Sequence, residues 1–155
     1  MKLDKLFLTS GAAILTGIMA MMPVTQEQES HSHHAHSMTA GHFELCANAC
    51  ADCAVQCASC FNHCAALVAY GKKSHVDSMR ICNDCEVVCN ASATLSARRS
   101  PLAVNICEAC IVSCQKCVEA CGKFPDDAHM MSCTKSCQDC IAACKAMIET
   151  EGKSK

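Results

Sequence analysis

Cysteine recurs in this chain at alternating steps of four and three residues, within four separate stretches. The first stretch holds Cys46, Cys50, Cys53, Cys57, Cys60 and Cys64, and the second Cys82, Cys85 and Cys89. The third holds Cys107, Cys110, Cys114, Cys117 and Cys121, and the fourth Cys133, Cys137, Cys140 and Cys144. An α-helix turns about 100° per residue, so the six cysteines of the first stretch fall within an arc of about 80°. One narrow stripe per helix is the pattern of a bundle seam, where Leu and Ile normally stand. Here the seam is thiol.

Composition sharpens the point. The chain has 155 residues with no Trp, one Tyr and four Phe, so a core of large side chains is lacking. Small domains with thin cores rely on staples or metals, and eighteen cysteines supply either. The formal net charge is −2, and no basic patch is interleaved with aromatics, which excludes nucleic acid as a partner.

The first 22 residues place Lys2 and Lys5 before an apolar run from Leu6 to Met22, the pattern of an export signal. Phe7 to Ala13 is similar to the segment that follows the twin arginines of a folded-protein export signal, but Asp4-Lys5 stand in the arginine positions. Ala20 offers a cleavage point; an uncleaved anchor of about 17 apolar residues is the other reading, at the short limit for spanning a membrane. The expectation is an exported, periplasmic protein, with membrane-anchored or cytoplasmic placement as the alternatives. Residues 23–41 carry His31, His33, His34, His36 and Met38 and are expected to be a flexible linker, either a solvated tether or a transient catcher of ions.

Residues 42–152 carry the domain. A first helix is predicted from His42 to Tyr70, with Gly71 as the left-handed residue that ends it. Ser74-His75-Val76-Asp77 has the form of a capping box opening a second helix that continues to Ala97. Ser100-Pro101 pairs an N-cap with a first-turn proline to start a third, which stops at Gly122. Pro125-Asp126-Asp127 opens a fourth that ends near Gly152. Links of a few residues force antiparallel neighbours, so the predicted fold is all-α, an antiparallel up-down-up-down four-helix bundle with a cysteine-lined core.

Four stripes facing one another make the interior a tube of sulfur. Cysteines at i and i+4 occur at Cys46/Cys50, Cys53/Cys57, Cys60/Cys64, Cys85/Cys89, Cys110/Cys114, Cys117/Cys121, Cys133/Cys137 and Cys140/Cys144. Their Cβ atoms lie about 5–6 Å apart on one face, so each pair can flank one ion. Thiolates select Cu(I), Zn or Fe–S clusters. A four-thiolate zinc site carries a net −2, and several stacked in a dry tube would repel; Cu(I) at one ion per thiolate leaves the core near neutral. Protonated thiols act as small apolar side chains, so the metal-free bundle can also fold.

A disulfide-locked structural bundle is the competing reading, since the cysteine count is even and export is expected, although such frameworks do not require an unbroken three-four repeat. Cys46-x-x-x-Cys50-x-x-Cys53 and Cys50-Ala-Asp-Cys53 fit the spacings of radical-enzyme clusters and redox motifs, but the chain lacks the βα units those need. No catalytic constellation stands out. Asp52, Asp84, Glu108, Glu119 and Asp139 are expected on solvated faces. Extending the stripes to the helix ends brings His75, Met79, His129 and Met130, with Met131, to one end beside Cys121. These are candidate copper-uptake residues, weaker ligands for Cu(I) than thiolate, with gap-filling Met and end-capping His as the plainer reading. His42 and Met147 mark the opposite end, and His63 is expected off the seam.

The repeated Cys-x-x-x-Cys pairs on four helices resemble the bacterial copper storage proteins over residues 42–150. That resemblance implies a four-helix bundle filled with many Cu(I) ions, with all eighteen cysteines as ligands. It also implies a homo-oligomer, often a tetramer, and His and Met residues that admit copper at one open end; a store of this kind is expected to release its ions to a copper-accepting partner. Family members are exported or cytosolic. Detoxification by sequestration uses the same residues as storage.

Overall fold

The structure, a computed structural model, describes residues 41–152. The export-signal and linker segments, 1–22 and 23–41, lie outside the described residues apart from Gly41. Among the described residues there are four α-helices and no strand: α1 His42–Ala69, α2 Val76–Ala97, α3 Ala103–Cys121 and α4 Ala128–Gly152. No helix among them is long and apolar enough to cross a membrane.

The helix ends follow from local chemistry, in three places not as the sequence suggests. Gly71 has φ 87°, and the N–H groups of Gly71 and Lys72 donate to the carbonyls of Val68 and Leu67 at 2.9 and 3.0 Å. This is the paired closure that favours glycine at the left-handed position. α2 closes the same way with Arg99 at φ 49°, its N–H and that of Ser100 donating to Ser96 and Leu95 at 2.9 and 3.0 Å. The predicted capping box does not form. Lys73–His75 make a short 3₁₀ turn that runs directly into α2 and serves its first donors, and the Ser74 hydroxyl sits instead 3.3 Å from His75 Nδ1. Ser100 works as expected but α3 begins later, at Ala103: its Oγ accepts from the Leu102 N–H at 3.2 Å and its carbonyl from Ala103 at 2.9 Å. α4 begins at Ala128 rather than Pro125, because Asp127 is the cap, Oδ1 accepting the N–H groups of His129 and Met130 at 2.9 and 3.2 Å.

Each helix packs against two others: α1 on α2 and α4, and α3 on α2 and α4. Cys46 at the start of α1 lies 3.7 Å from Cys144 near the end of α4, and Cys57 lies 4.0 Å from Cys133 near its start. Those two helices therefore run in opposite directions. Cys82 and Cys89 of α2 meet Cys121 and Cys110 of α3 in the same reversed order. Around the sulfur seam, Phe61, Ile81, Ile106, Ile111, Ile141 and other apolar side chains pack half-buried between the helices. The large residues thus form the outer layer of the core and the thiols its axis.

Candidate metal-binding site

All eighteen cysteines have no exposed surface, and all are free thiols. Across the axis their Sγ atoms approach closely. Cys50 lies 3.5 Å from Cys144, Cys46 3.6 Å from Cys107, Cys89 3.6 Å from Cys110, Cys53 3.7 Å from Cys137 and Cys117 3.8 Å from Cys133. Along the helices, five of the eight expected i,i+4 pairs come within 4.0 Å: Cys46/Cys50, Cys53/Cys57, Cys85/Cys89, Cys110/Cys114 and Cys117/Cys121. Cross-axis contacts are therefore at least as close as contacts within a helix.

Four-thiol groups result. Cys46, Cys50, Cys107 and Cys144 form one, and Cys50, Cys110, Cys140 and Cys144 the next. Cys53, Cys114 and Cys137 join with Cys85, while Cys53 and Cys114 also join with Cys89 and Cys140; Cys57, Cys117 and Cys133 join with Cys137. The overlap matters. A closed structural zinc site owns its four ligands, whereas here Cys50, Cys53, Cys114, Cys137, Cys140 and Cys144 each belong to two groups. Shared thiolates suit bridged clusters of a soft monovalent ion.

The thiols do not share their protons evenly. Burial pushes Cys64 up to about 11, because the bundle interior solvates a thiolate poorly. Cys121 falls to about 5, chiefly through its hydrogen bond with Cys117, with burial opposing. Cys85 lies below the ordinary thiol value for the same kind of reason, Cys114 being its strongest partner.

The stripe on α2 is longer than its cysteines. Ser78, Ser92 and Ser96 continue the four-three rhythm of Cys82, Cys85 and Cys89 and are as buried as they are. The Ser96 hydroxyl stands 3.7 Å from Cys46 Sγ and 3.5 Å from Cys107 Sγ, so it faces the tube. Ser78 and Ser92 instead donate to the backbone carbonyls of Ala120 and Val88 at 3.0 and 2.8 Å. The sequence reading passed over these serines, although the unbroken spacing marked them.

At one end the bundle gathers most of the predicted uptake residues. Met130 is fully buried, its Sδ 3.6 Å from Cys60 Sγ and 3.5 Å from Cys64 Sγ. His75 is 7% exposed and stacks on Phe124 with ring centroids 4.0 Å apart. Met79 packs half-buried against the core, and Met131 faces outward. His129 lies 3.3 Å from Ser59 Oγ and stacks on His63 at 4.5 Å. His63 is off the thiol stripe, as expected, yet belongs to this end: its Nε2 is 2.7 Å from Asp127 Oδ2. Burial works against ionisation of Asp127, but hydrogen bonds from His63 and from the Met130 and His129 N–H groups outweigh it and hold the carboxyl below the usual range. At the other end Met147 is fully buried and His42 exposed. Asp52, Asp84, Glu108, Glu119 and Asp139 are all on exposed faces, Asp139 paired with Lys135 at 2.6 Å.

Comparison with known proteins gives a family and solved relatives. A copper storage protein family model matches residues 21–149. A solved structure named Cu(I)-bound Copper Storage Protein BsCsp3 is 30% identical, the match covering 70% of this chain and 99% of that one, with a TM-score of 0.62. No curated protein matches.

Proposed function

This chain belongs to the copper storage protein family, and from that premise we propose that it holds many Cu(I) ions at once in its thiol tube and gives them up to copper-requiring partners. The observation that carries this reading is the complete burial of eighteen free thiols whose four-membered groups overlap. Each Cu(I) bound by a thiol displaces one proton, so a filled tube stays near neutral and avoids the cost of desolvated charge. Met130, beside Cys60 and Cys64, and His75, Met79 and His129 near the same end provide weaker donors for Cu(I) than thiolate, suited to passing ions onward.

Export by the N-terminal segment and assembly into a homo-oligomer complete the proposal; the apolar run behind Lys2 and Lys5 supports the first, and the family resemblance supports the second. The decisive experiment is titration of the reduced protein with Cu(I) against a competing chelator. Uptake of the order of one ion per thiol is expected; saturation after only a few ions would sink the storage reading. Replacing Met130 and His129 should slow uptake while leaving the final copper content nearly unchanged.

A further inference from the structure

Beside this end of the bundle lies a cleft of about 560 Å³, within the range that holds small molecules. Lys72, from the link before α2, and Lys123, from the link after α3, both line it. Neither forms an ion pair among the described residues. Phe124 and Pro125 give it an apolar wall, and His75 lies against Phe124 with its Nδ1 3.3 Å from the Ser74 hydroxyl. Two carboxylates also line it, but they differ. Asp127 stays ionised, but its charge is partly offset by the first N–H groups of α4 and by His63, so it opposes the two ammonium groups less than Asp126 does. The wall is tied to the thiol tube, since the Phe124 N–H donates to the carbonyl of Cys121 at 3.1 Å.

A soft monovalent ion travels bound to soft ligands, and a two-thiolate complex of Cu(I) is an anion. We propose that this cleft is a docking site for Cu(I) carried by a small thiol bearing carboxylates, which would seat those carboxylates on Lys72 and Lys123 while its copper is handed to the tube. The transfer is ligand exchange. Two carrier Cu–S bonds break and two protein Cu–S bonds form; the protons of the two protein thiols leave with the two carrier thiolates, and copper remains Cu(I) throughout. This deepens the storage reading and rests on it.

The test mixes reduced, metal-free protein rapidly with Cu(I) supplied in two forms, as its anionic glutathione complex and as its cationic acetonitrile complex, and follows Cu–S bond formation. In the double variant Lys72→Glu/Lys123→Glu, uptake from the glutathione complex should slow about tenfold, while uptake from the acetonitrile complex stays within about twofold. Lys72→Arg/Lys123→Arg should keep the parent rate. An unchanged glutathione rate in the charge-reversed variant, or equal slowing with both donors, overturns the cleft's role. Final copper content from the acetonitrile complex separates the two ideas: a low value in the parent protein speaks against storage itself, whereas a full value with no charge dependence speaks only against the cleft.

Discussion

At Cys64 the interior tolerates the protonated thiol and the metal-bound thiolate and resists the bare thiolate, whereas at Cys121 hydrogen bonds from neighbouring thiols favour the thiolate. Cys64 displays the resistance, its pKa pushed to about 11 by burial against an ordinary 9.0. The folded chain therefore keeps this proton over a range where the unfolded chain has lost it. Stability from Cys64 is fully present below pH 9 and is lost as pH rises through 9 toward 11. Thermal melts of the metal-free protein should show a midpoint that declines over that window, and less so in Cys64→Ala; a flat profile to pH 11 would contradict the assignment. Ser96 offers a complementary test. It occupies a stripe position and faces Cys46 and Cys107, so Ser96→Cys should raise copper capacity by about one ion per chain in the same chelator titration. Every cysteine position could be read from spacing alone. The role of Ser96 was equally present in that spacing but hidden by residue type, a hydroxyl standing where the thiol pattern ends.

At the scale of the element, the helices were legible, as was the start of α1 at His42, but the first turns of α2, α3 and α4 were not. Gly71 ended α1 as its conformational freedom predicts, but the same closure at Arg99 has no sequence signature, since arginine rarely takes a left-handed φ. The Ser74 capping box failed because a 3₁₀ turn had already supplied carbonyls to the start of α2. Asp127 was visible only as one of two adjacent acids, yet it alone caps α4 and also holds His63. Asp127→Ala should lower unfolding free energy by about 1–2 kcal/mol, read from chemical denaturation. Asp127→Asn keeps an oxygen acceptor for the cap and should recover most of that loss. If Asn and Ala behave alike, the His63 ion pair matters more than the cap.

For the whole molecule, short links and one stripe per helix were enough to derive the bundle. They could not reveal the pairing of His63 with Asp127 and His129, because no local pattern joins residues so far apart in sequence. Nor could they show that cross-axis sulfur contacts rival those within helices, a property of how tightly four helices close. A ligand that binds only the folded state stabilises it in proportion to its free concentration over its dissociation constant. Filled protein should therefore melt about 15 °C or more above metal-free protein, and a strong Cu(I) chelator should return the lower midpoint. Calorimetry on both forms checks this, and equal midpoints would show that the ions do not bind the folded core.

The full burial of the thiols, with Met130 sealed against one end and Met147 against the other, bears on timing as much as on capacity. If ions move only along its axis, a tube this narrow works as a queue with no overtaking. If traffic uses the Met130 end alone, the ions nearest Cys144 arrive first and depart last. Withdrawal would then be quick for the newest copper and slow for the oldest, so one tube serves as both current account and reserve.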